Sequence, residues 1–375
     1  MIRFLTGGES HGKALIGIIE GFPANLYFNI DYINKELKRR QKGYGRSNRM
    51  DIEKDEILVL SGVNNGKTTG NPISIMIKNR GSNIDLVEIT RPRPGHGDLA
   101  GALKYNQKGG RNTLERASAR ETAMRVAVGS ICKLLLKEFN IQICSHVIQI
   151  GQVKSIKNYY NGLKKEELTK ADNSLIRSLD YQSEKLMIQI IEEAKEKGDT
   201  LGGIIELIGL NIPVGLGSYT NWDRKLDGKI AHSIMSIPGI KGVEFGLGFN
   251  TSGRLGSQVH DEISYDDNNT YYRETNNAGG IEGGVSNGED IVLRAVMKPI
   301  PTLKKPLKTV DMKTKEVAFA QFERSDVCAV PSASIVAESM LSYVLANEII
   351  LKFGGDSIEE IKINYTSYIN SLRNR

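Results

Sequence analysis

Two histidines stand in settings that favour proton transfer. His11 lies in Gly-Glu-Ser-His-Gly, straight after a strand-like run, and His96 lies in Arg-Pro-Gly-His-Gly-Asp, a turn-rich stretch. The flanking glycines let a backbone and a ligand come close. Imidazole titrates near neutral pH, so both are candidate acids or bases. His146 in a strand run, His232 in a helix run and His260 lack such loops and are read as structural. No two histidines have HxH or HxxxH spacing, so no metal site is indicated.

Cationic groups are the second resource. Between Asn34 and Arg49, only Glu36 opposes Lys35, Lys38, Arg39, Arg40, Lys42, Arg46 and Arg49. A second cluster (Arg91, Arg93, Lys104, Lys108, Arg111, Arg116, Arg120, Arg125) is opposed by Asp98, Glu115 and Glu121. Guanidinium forks bind carboxylate and phosphate bidentately, so arginines set among glycine and histidine suit a substrate with several anionic groups. Any single one of them reads equally as part of a solvated face. Arg116 and Arg120 are four apart with Ser118 between them. They are expected on one face of a helix near its start, where free N–H groups already attract anions.

Three glycine- or proline-punctuated stretches complete the inventory. Asn276 to Gly284 (Asn-Asn-Ala-Gly-Gly-Ile-Glu-Gly-Gly) is permissive backbone that could cradle a phosphate or a planar ring, or make a sharp turn. Lys298-Pro299-Ile300-Pro301-Thr302 is a stiff loop whose free N–H and hydroxyl groups could hold a ligand. Gly66-Lys67-Thr68 resembles the tail of a phosphate-binding loop, but Gly62 sets the spacing one residue short, and ATP binding is rejected on that ground.

The elements that position these groups follow from periodicity. Strands are expected at Arg3–Thr6, Ala14–Glu20, Ile57–Ser61, Ile73–Lys78, Ile141–Ile150, Ile204–Leu210, Val243–Gly246 and Ile291–Met297. Helices are expected at Ile30–Arg40, Leu114–Phe139, Glu184–Lys197, Asp223–Ser236 and Ser334–Phe353. Strict strand–helix alternation is absent, so the class expected is α+β. At 375 residues the chain can bury roughly 75% of its unfolded surface. With 39% apolar and 25% charged residues, disordered and low-complexity classes are excluded. Wholly apolar runs are only a few residues long, so no span of a bilayer is expected. The N-terminus has no signal-like apolar region. Cys132, Cys144 and Cys328 are widely spaced without CxxC, which points to no disulfide framework and a reducing cytoplasm. The net charge of +6 fits anionic small molecules as well as nucleic acid.

Taken in order, eight stretches resemble the signatures of the chorismate synthase family. They are GESHG from Gly8, RPGHGD from Arg93, RASARET from Arg116, GLGS from Gly215 and SIPGIKGVEFGLGF from Ser236. NNAGGIEGG from Asn276, KPIPT from Lys298 and RSDVCAVP from Arg324 complete the set. The resemblance implies one catalytic domain over residues 1–375 with a β-α-β sandwich fold and long functional loops. Residues 155–197 match no motif and are read as a variable surface region. The activity implied is 1,4-anti elimination of phosphate from 5-enolpyruvylshikimate 3-phosphate, giving chorismate, on reduced FMN without net redox change. Homotetramers are implied, with either NADPH or a separate flavin reductase as the source of reduced flavin.

The same resemblance distributes roles. His11 would protonate the departing phosphate and His96 would sit beside the reduced flavin. Ser10 and Ser118 would belong to the proton and hydrogen-bond network, and Asp326 would help take the substrate proton by way of the flavin's N5. Arg116, Ala117, Ser118, Pro238, Gly239, Gly283, Lys298, Pro299, Ile300, Pro301, Thr302 and Arg324 match the flavin-contacting segments. Arg40 and Arg46 match positions for nicotinamide or substrate phosphate. Arg49, Arg111 and Arg120 are further candidates for the substrate's carboxylates or phosphate. Pro238 departs from the family pattern, since it offers neither a side-chain amide nor a backbone N–H.

Two rival readings differ in what they require. A nucleic-acid binder needs aromatics interleaved with the basic clusters and shows steep salt dependence. Aromatics here are 6% of the chain. An ordinary flavin oxidoreductase passes a hydride to a second substrate, whereas a phosphate lyase leaves its flavin unconsumed.

Overall fold

Alternation of buried and outward residues, sharpest in its two middle strands, builds the first sheet. Its strands are β1 (Arg3–Gly7), β2 (Ala14–Glu20), β3 (Ile57–Ser61) and β4 (Ile73–Lys78). They run antiparallel in the order β1-β2-β4-β3. Leu15, Ile19, Ile73, Ile75 and Ile77 point inward and are buried. The structure, a computed structural model, describes residues 1–46, 54–80, 87–266, 270–323 and 325–373.

The second sheet contains β5 (Gln142–Ile150), β6 (Val153–Lys154), β7 (Gly203–Leu210), β8 (Ile240–Phe245) and β9 (Ile291–Met297). It is also antiparallel, in the order β8-β9-β7-β5-β6. The helices are α1 (Ile30–Gln41), α2 (Asp98–Lys104), α3 (Arg111–Ala117), α4 (Thr122–Lys137), α5 (Tyr181–Glu196), α6 (Leu226–Met235), α7 (Val330–Phe353) and α8 (Ile358–Arg373). Helices α4 and α7 lie against each other between the sheets. One face of α4 rests on β2, and α7 rests on β5 and β7. The architecture is therefore α+β, a β-α-β sandwich as expected. The helices approach closely where Gly129 meets Ser339: a Cβ on Gly129 would stand 2.4 Å from the Ser339 Cβ.

Two expectations are corrected in this middle layer. Helix α7 is long and apolar enough, by length and composition, to cross a bilayer, and 83% of its apolar window is buried inside the protein. Counting wholly apolar runs missed it because Ser332, Ser334, Glu338, Ser339 and Ser342 interrupt the run. A helix that is apolar all round belongs in a core, and this one is there. The single helix expected over Leu114–Phe139 is instead α3, a 3-10 turn at Ala119–Glu121, and α4. Ser118 at the break is extended, with φ −64° and ψ 143°.

A buried ion set ties α1 into this layer. Glu338 is fully buried and bonds Arg39 at 2.8 Å, Lys133 at 2.6 Å and Arg177 at 3.0 Å. Glu36 pairs with the same Arg39 and Lys133, at 2.8 and 2.6 Å. Burial pushes the Glu338 carboxyl up, but Arg39, Lys133 and Arg177 overcome it and hold the group far below the usual carboxylate range. Removing one partner from such a set typically costs about 3–5 kcal/mol, so the last turn of α1 is firmly fixed.

Residues 155–197 are not a bare surface. Leu168, Ala171, Ile176, Met187 and Ile191 are buried, and Leu168 packs with Ile208 and Leu210 of β7. The sequence reading also passed over α2, α8 and the hairpins Ile263–Tyr265 with Tyr271–Arg273 and Lys308–Val310 with Val317–Phe319. These are short or strongly polar, so periodicity carries little signal in them.

Candidate active site

The helix break at Ser118 organises the first part of the site. The Ser118 hydroxyl accepts the Arg120 N–H at 3.3 Å and donates to the Ser10 hydroxyl at 3.2 Å. This corrects the one-face expectation for Arg116 and Arg120. Arg116 stays exposed and donates to the carbonyls of Thr6 (2.9 Å) and Gly8 (3.0 Å), whereas Arg120 turns inward.

Glu115 builds the loop that carries His11. Its carbonyl accepts the Ser10 N–H at 3.0 Å, and its carboxylate accepts the His11 N–H at 2.7 Å. The His11 Nδ1 lies 3.0 and 3.1 Å from the two carboxylate oxygens. Burial raises the Glu115 carboxyl, but hydrogen bonds from the His11 ring and backbone and the charge of Arg111 outweigh it, leaving the group below its ordinary value. An ionised carboxylate only accepts, so His11 Nδ1 carries a proton.

The second imidazole is held in the same way. His96 Nδ1 is 2.6 Å from Asp98 Oδ1, and Asp98 also receives Arg93 Nε at 2.8 Å. Asp98 is fully buried. Burial raises its carboxyl, but hydrogen bonds from His96 and Arg93 prevail and hold it far below the usual range. Arg93 reaches on to the Thr302 hydroxyl at 2.7 Å. Each imidazole side chain keeps 16% exposure, so both remain partly open.

Helix α3 joins the two histidine loops. Glu115 on α3 holds His11, and a Cβ on Gly97, next to His96, would stand 3.9 Å from the Ala117 Cβ at the end of α3. The His11 loop is in turn linked to the arginines through Asn79. Its amide donates to the carbonyls of Glu9 (3.0 Å) and Gly12 (2.8 Å) and accepts Arg120 Nε at 2.9 Å. Arg120 pairs with Asp55 at 2.6 Å, and Arg40 approaches the same carboxylate at 3.6 Å. Arg46 pairs with Asp326 at 2.9 Å. Among the described residues, these three guanidiniums gather around the Asp55 and Asp326 carboxylates. Burial, with Arg46 and Arg120 adding to it against the pull of Asp55, pushes Arg40 down to about 10. Arg40 Nη1 and Asp55 Oδ2 are buried without a hydrogen-bond partner among the described residues.

Several expected flavin-contacting segments converge near His96. The Lys298 N–H donates to the Gly239 carbonyl at 2.9 Å, and the Lys298 ammonium bonds the Gly95 carbonyl. Pro238 adjoins Gly239, Thr302 is bonded to Arg93, and the Ile300 carbonyl accepts the Thr200 hydroxyl at 2.7 Å. Gly95 has φ 80°, and a Cβ there would stand 3.6 Å from the Pro301 Cβ and 3.7 Å from Lys298 Nζ. Gly283 is not brought there within the chain. It is beside Tyr219, and the neighbouring Gly284 carbonyl caps the start of α6 at Leu226, while Pro238 follows the end of that helix, roughly 15 Å along its axis. Arg111 pairs with Glu115 at 2.8 Å and Glu323 at 3.5 Å. Arg49 and Arg324 lie outside the described residues. His146 is fully buried and bonded to Glu206 at 2.9 Å, which fits a structural role.

The sequence reading missed Glu115, Asp98, Asp55 and Asn79 as site residues. Asp98 had a local signal, lying two residues after His96. Glu115 showed only its i,i+4 relation to Arg111, and its tie to His11 spans 104 residues. Asp55 and Asn79 had no local signal.

Comparison with known proteins follows the same line. A family model described as chorismate synthase matches residues 2–350. The chorismate synthase of Alkaliphilus metalliredigens (strain QYMF) is 55% identical, over 98% of this chain and 99% of that protein. That of Caldanaerobacter subterraneus subsp. tengcongensis is 55% identical, over 99% of each chain. A solved structure titled "Crystal Structure of Chorismate Synthase" superposes with a TM-score of 0.84 at 45% identity, covering 100% of this chain and 99% of that one.

Proposed function

The chain belongs to the chorismate synthase family, and we propose that the region around its two histidine loops is a pocket that performs the family's reaction with the residues described above. The enzyme is a carbon–oxygen lyase: it removes phosphate from 5-enolpyruvylshikimate 3-phosphate to give chorismate. The observation that carries the assignment to this pocket is the linkage of His11, through Asn79, to the Arg120–Asp55–Arg40 set. A substrate with a phosphate and two carboxylates needs gathered guanidinium groups, and the buried Arg40, whose Nη1 lies 3.6 Å from Asp55 with no hydrogen-bond partner among the described residues, is suited to an incoming anion.

His11 delivers a proton from Nε2 to the departing phosphate, since its Nδ1 is committed to Glu115. Ser10 and Ser118, joined hydroxyl to hydroxyl, order the hydrogen bonds beside it. Asp326, held by Arg46, is the carboxylate that helps take the substrate proton. His96, locked by Asp98, faces the cofactor side.

Reduced FMN is the cofactor of this reading. The donor set fits it. Lys298 and Arg116 suit its phosphate, and Thr302, Ser118 and the Gly239 backbone offer hydroxyl and peptide contacts. The space beside Gly95 is one that a side chain would fill. Reduced flavin held there would supply electron density for cleavage of the C–O bond. The chain's part is to bind, orient and exclude water. NADPH or a separate reductase supplies the reduced flavin.

The remaining parts of the proposal are a single catalytic domain, a homotetramer and a cytoplasmic location. One hydrophobic cluster running through both sheets supports the first. The outer face of the first sheet exposes Leu5, Ile16, Ile18, Leu58 and Leu60, with Leu5 opposite Ile18, and such faces mark association. Three unpaired cysteines suit a reducing compartment.

The pocket is tested by Arg120→Ala. The expected result is a KM for the shikimate ester raised by about 10- to 100-fold, the worth of a charge-assisted hydrogen bond, with a smaller change in kcat. Unchanged KM and kcat in folded protein would move Arg120 to a purely structural role.

A further inference from the structure

We propose that Glu115 is the positioning residue for His11: it fixes the ring's tautomer and aim, so that Nε2 is the one nitrogen that exchanges a proton with the leaving phosphate. The inference rests on the reading of His11 as the proton donor and adds the group that makes it one.

Three observations carry it. The first is the number of bonds a single residue makes to one loop. Glu115 receives the Ser10 N–H on its carbonyl, the His11 N–H on Oε2 and the His11 Nδ1 on both carboxylate oxygens. Backbone and ring are therefore set by the same carboxylate, and the ring cannot rotate without losing contact with it. The second is that the carboxylate is itself held. Arg111, one helical turn earlier, pairs with Glu115 at 2.8 Å and is nine-tenths buried, while Glu323 flanks its other side at 3.5 Å. A carboxylate between a guanidinium and an imidazole stays ionised and accepts only, which places the permanent proton on Nδ1. The third is what is left open. No described residue bonds His11 Nε2, and the ring keeps partial exposure. An imidazole with one nitrogen tied to a carboxylate and the other open is the arrangement in which an orienting carboxylate serves acid–base chemistry.

Glu115→Gln separates this role from loop support. The amide oxygen still accepts a backbone N–H and the side chain keeps its size, but the amide NH₂ is presented to Nδ1, which must then accept and move the ring proton to Nε2. The measurements are kcat and KM for 5-enolpyruvylshikimate 3-phosphate with reduced FMN, together with the melting temperature. The expected result is a kcat lower by about 10- to 100-fold, with KM within about twofold and melting close to that of the unaltered enzyme. In Glu115→Ala, added formate restores at least about tenfold of the lost kcat, by replacing the missing carboxylate beside Nδ1. Wild-type kcat in Glu115→Gln overturns the proposal. So does a joint loss of kcat, substrate binding and melting temperature, which marks a merely structural residue. If Glu115→Ala does not fold, Glu115→Gln alone decides. His11→Gln distinguishes the two levels: if it is slow while Glu115→Gln is normal, only the positioning role fails. If His11→Gln itself turns over normally, the reading of His11 as donor fails first.

Discussion

His11→Ala lowers kcat by about 10²- to 10⁴-fold, the usual worth of a positioned general acid, while KM for the shikimate ester changes little. The leaving group is a phosphate ester oxygen, which departs poorly as the unprotonated anion. The substitution removes the only imidazole of the Gly8–Gly12 loop but leaves the peptide bonds that shape it, since Ser10 and residue 11 still donate their N–H groups to Glu115. The loop also keeps its two bonds from Asn79. The loss should therefore fall on the chemical step. Phosphate release under anaerobic conditions measures it, and a folded variant at near-normal rate would remove His11 from the mechanism.

His96→Ala is expected to slow turnover by about 10²-fold or more as well, with a different signature. Its ring is bonded to Asp98, and Asp98 also anchors Arg93, which reaches the Thr302 hydroxyl. Removing the ring takes one of the hydrogen bonds that hold the Asp98 carboxyl ionised inside the protein. It also opens space in the loop that faces Lys298. The apparent affinity for reduced FMN should fall together with kcat. Flavin titration under anaerobic conditions separates this from His11→Ala, in which flavin affinity is retained. Unaltered turnover and unaltered flavin affinity in folded protein would exclude His96 from the site.

The fold places both loops through features of unequal legibility. The strands Ala14–Glu20 and Ile73–Lys78 stand where alternation puts them, because one face of each is buried, that of the first against α4, and the period of two is sharp. Helix α1 is equally clear, and the reason its end matters is not: Arg39 turns to the buried Glu338 while its neighbour Arg40 turns to Asp55. Adjacent helical residues point about 100° apart, so one turn serves both the core and the arginine set around Asp55. Nothing local distinguishes the two arginines.

The break at Ser118 was hidden for a related reason. Arg116 to Glu121 has no glycine or proline, and its residues are compatible with a continuous helix. The break is stabilised by partners far away in sequence. The Ser118 hydroxyl meets Ser10, Arg116 meets Thr6 and Gly8, and Arg120 meets Asp55 and Asn79. Short motifs point to the side chains proposed to carry chemistry. The carboxylates that aim them, Glu115 and Asp98, entered the sequence reading only as charges balancing an arginine cluster. A charge count cannot tell a counter-ion from an orienting hydrogen-bond acceptor.

The central claim is that two imidazoles and a guanidinium cluster form one pocket for a trianionic ester and a reduced flavin. It is tested most directly by anaerobic turnover with dithionite-reduced FMN and 5-enolpyruvylshikimate 3-phosphate, following phosphate, chorismate and flavin absorbance together. The expected result is one phosphate released per chorismate formed, with the flavin still reduced at the end. Flavin oxidised in proportion to product, or equal turnover with no flavin present, would contradict it.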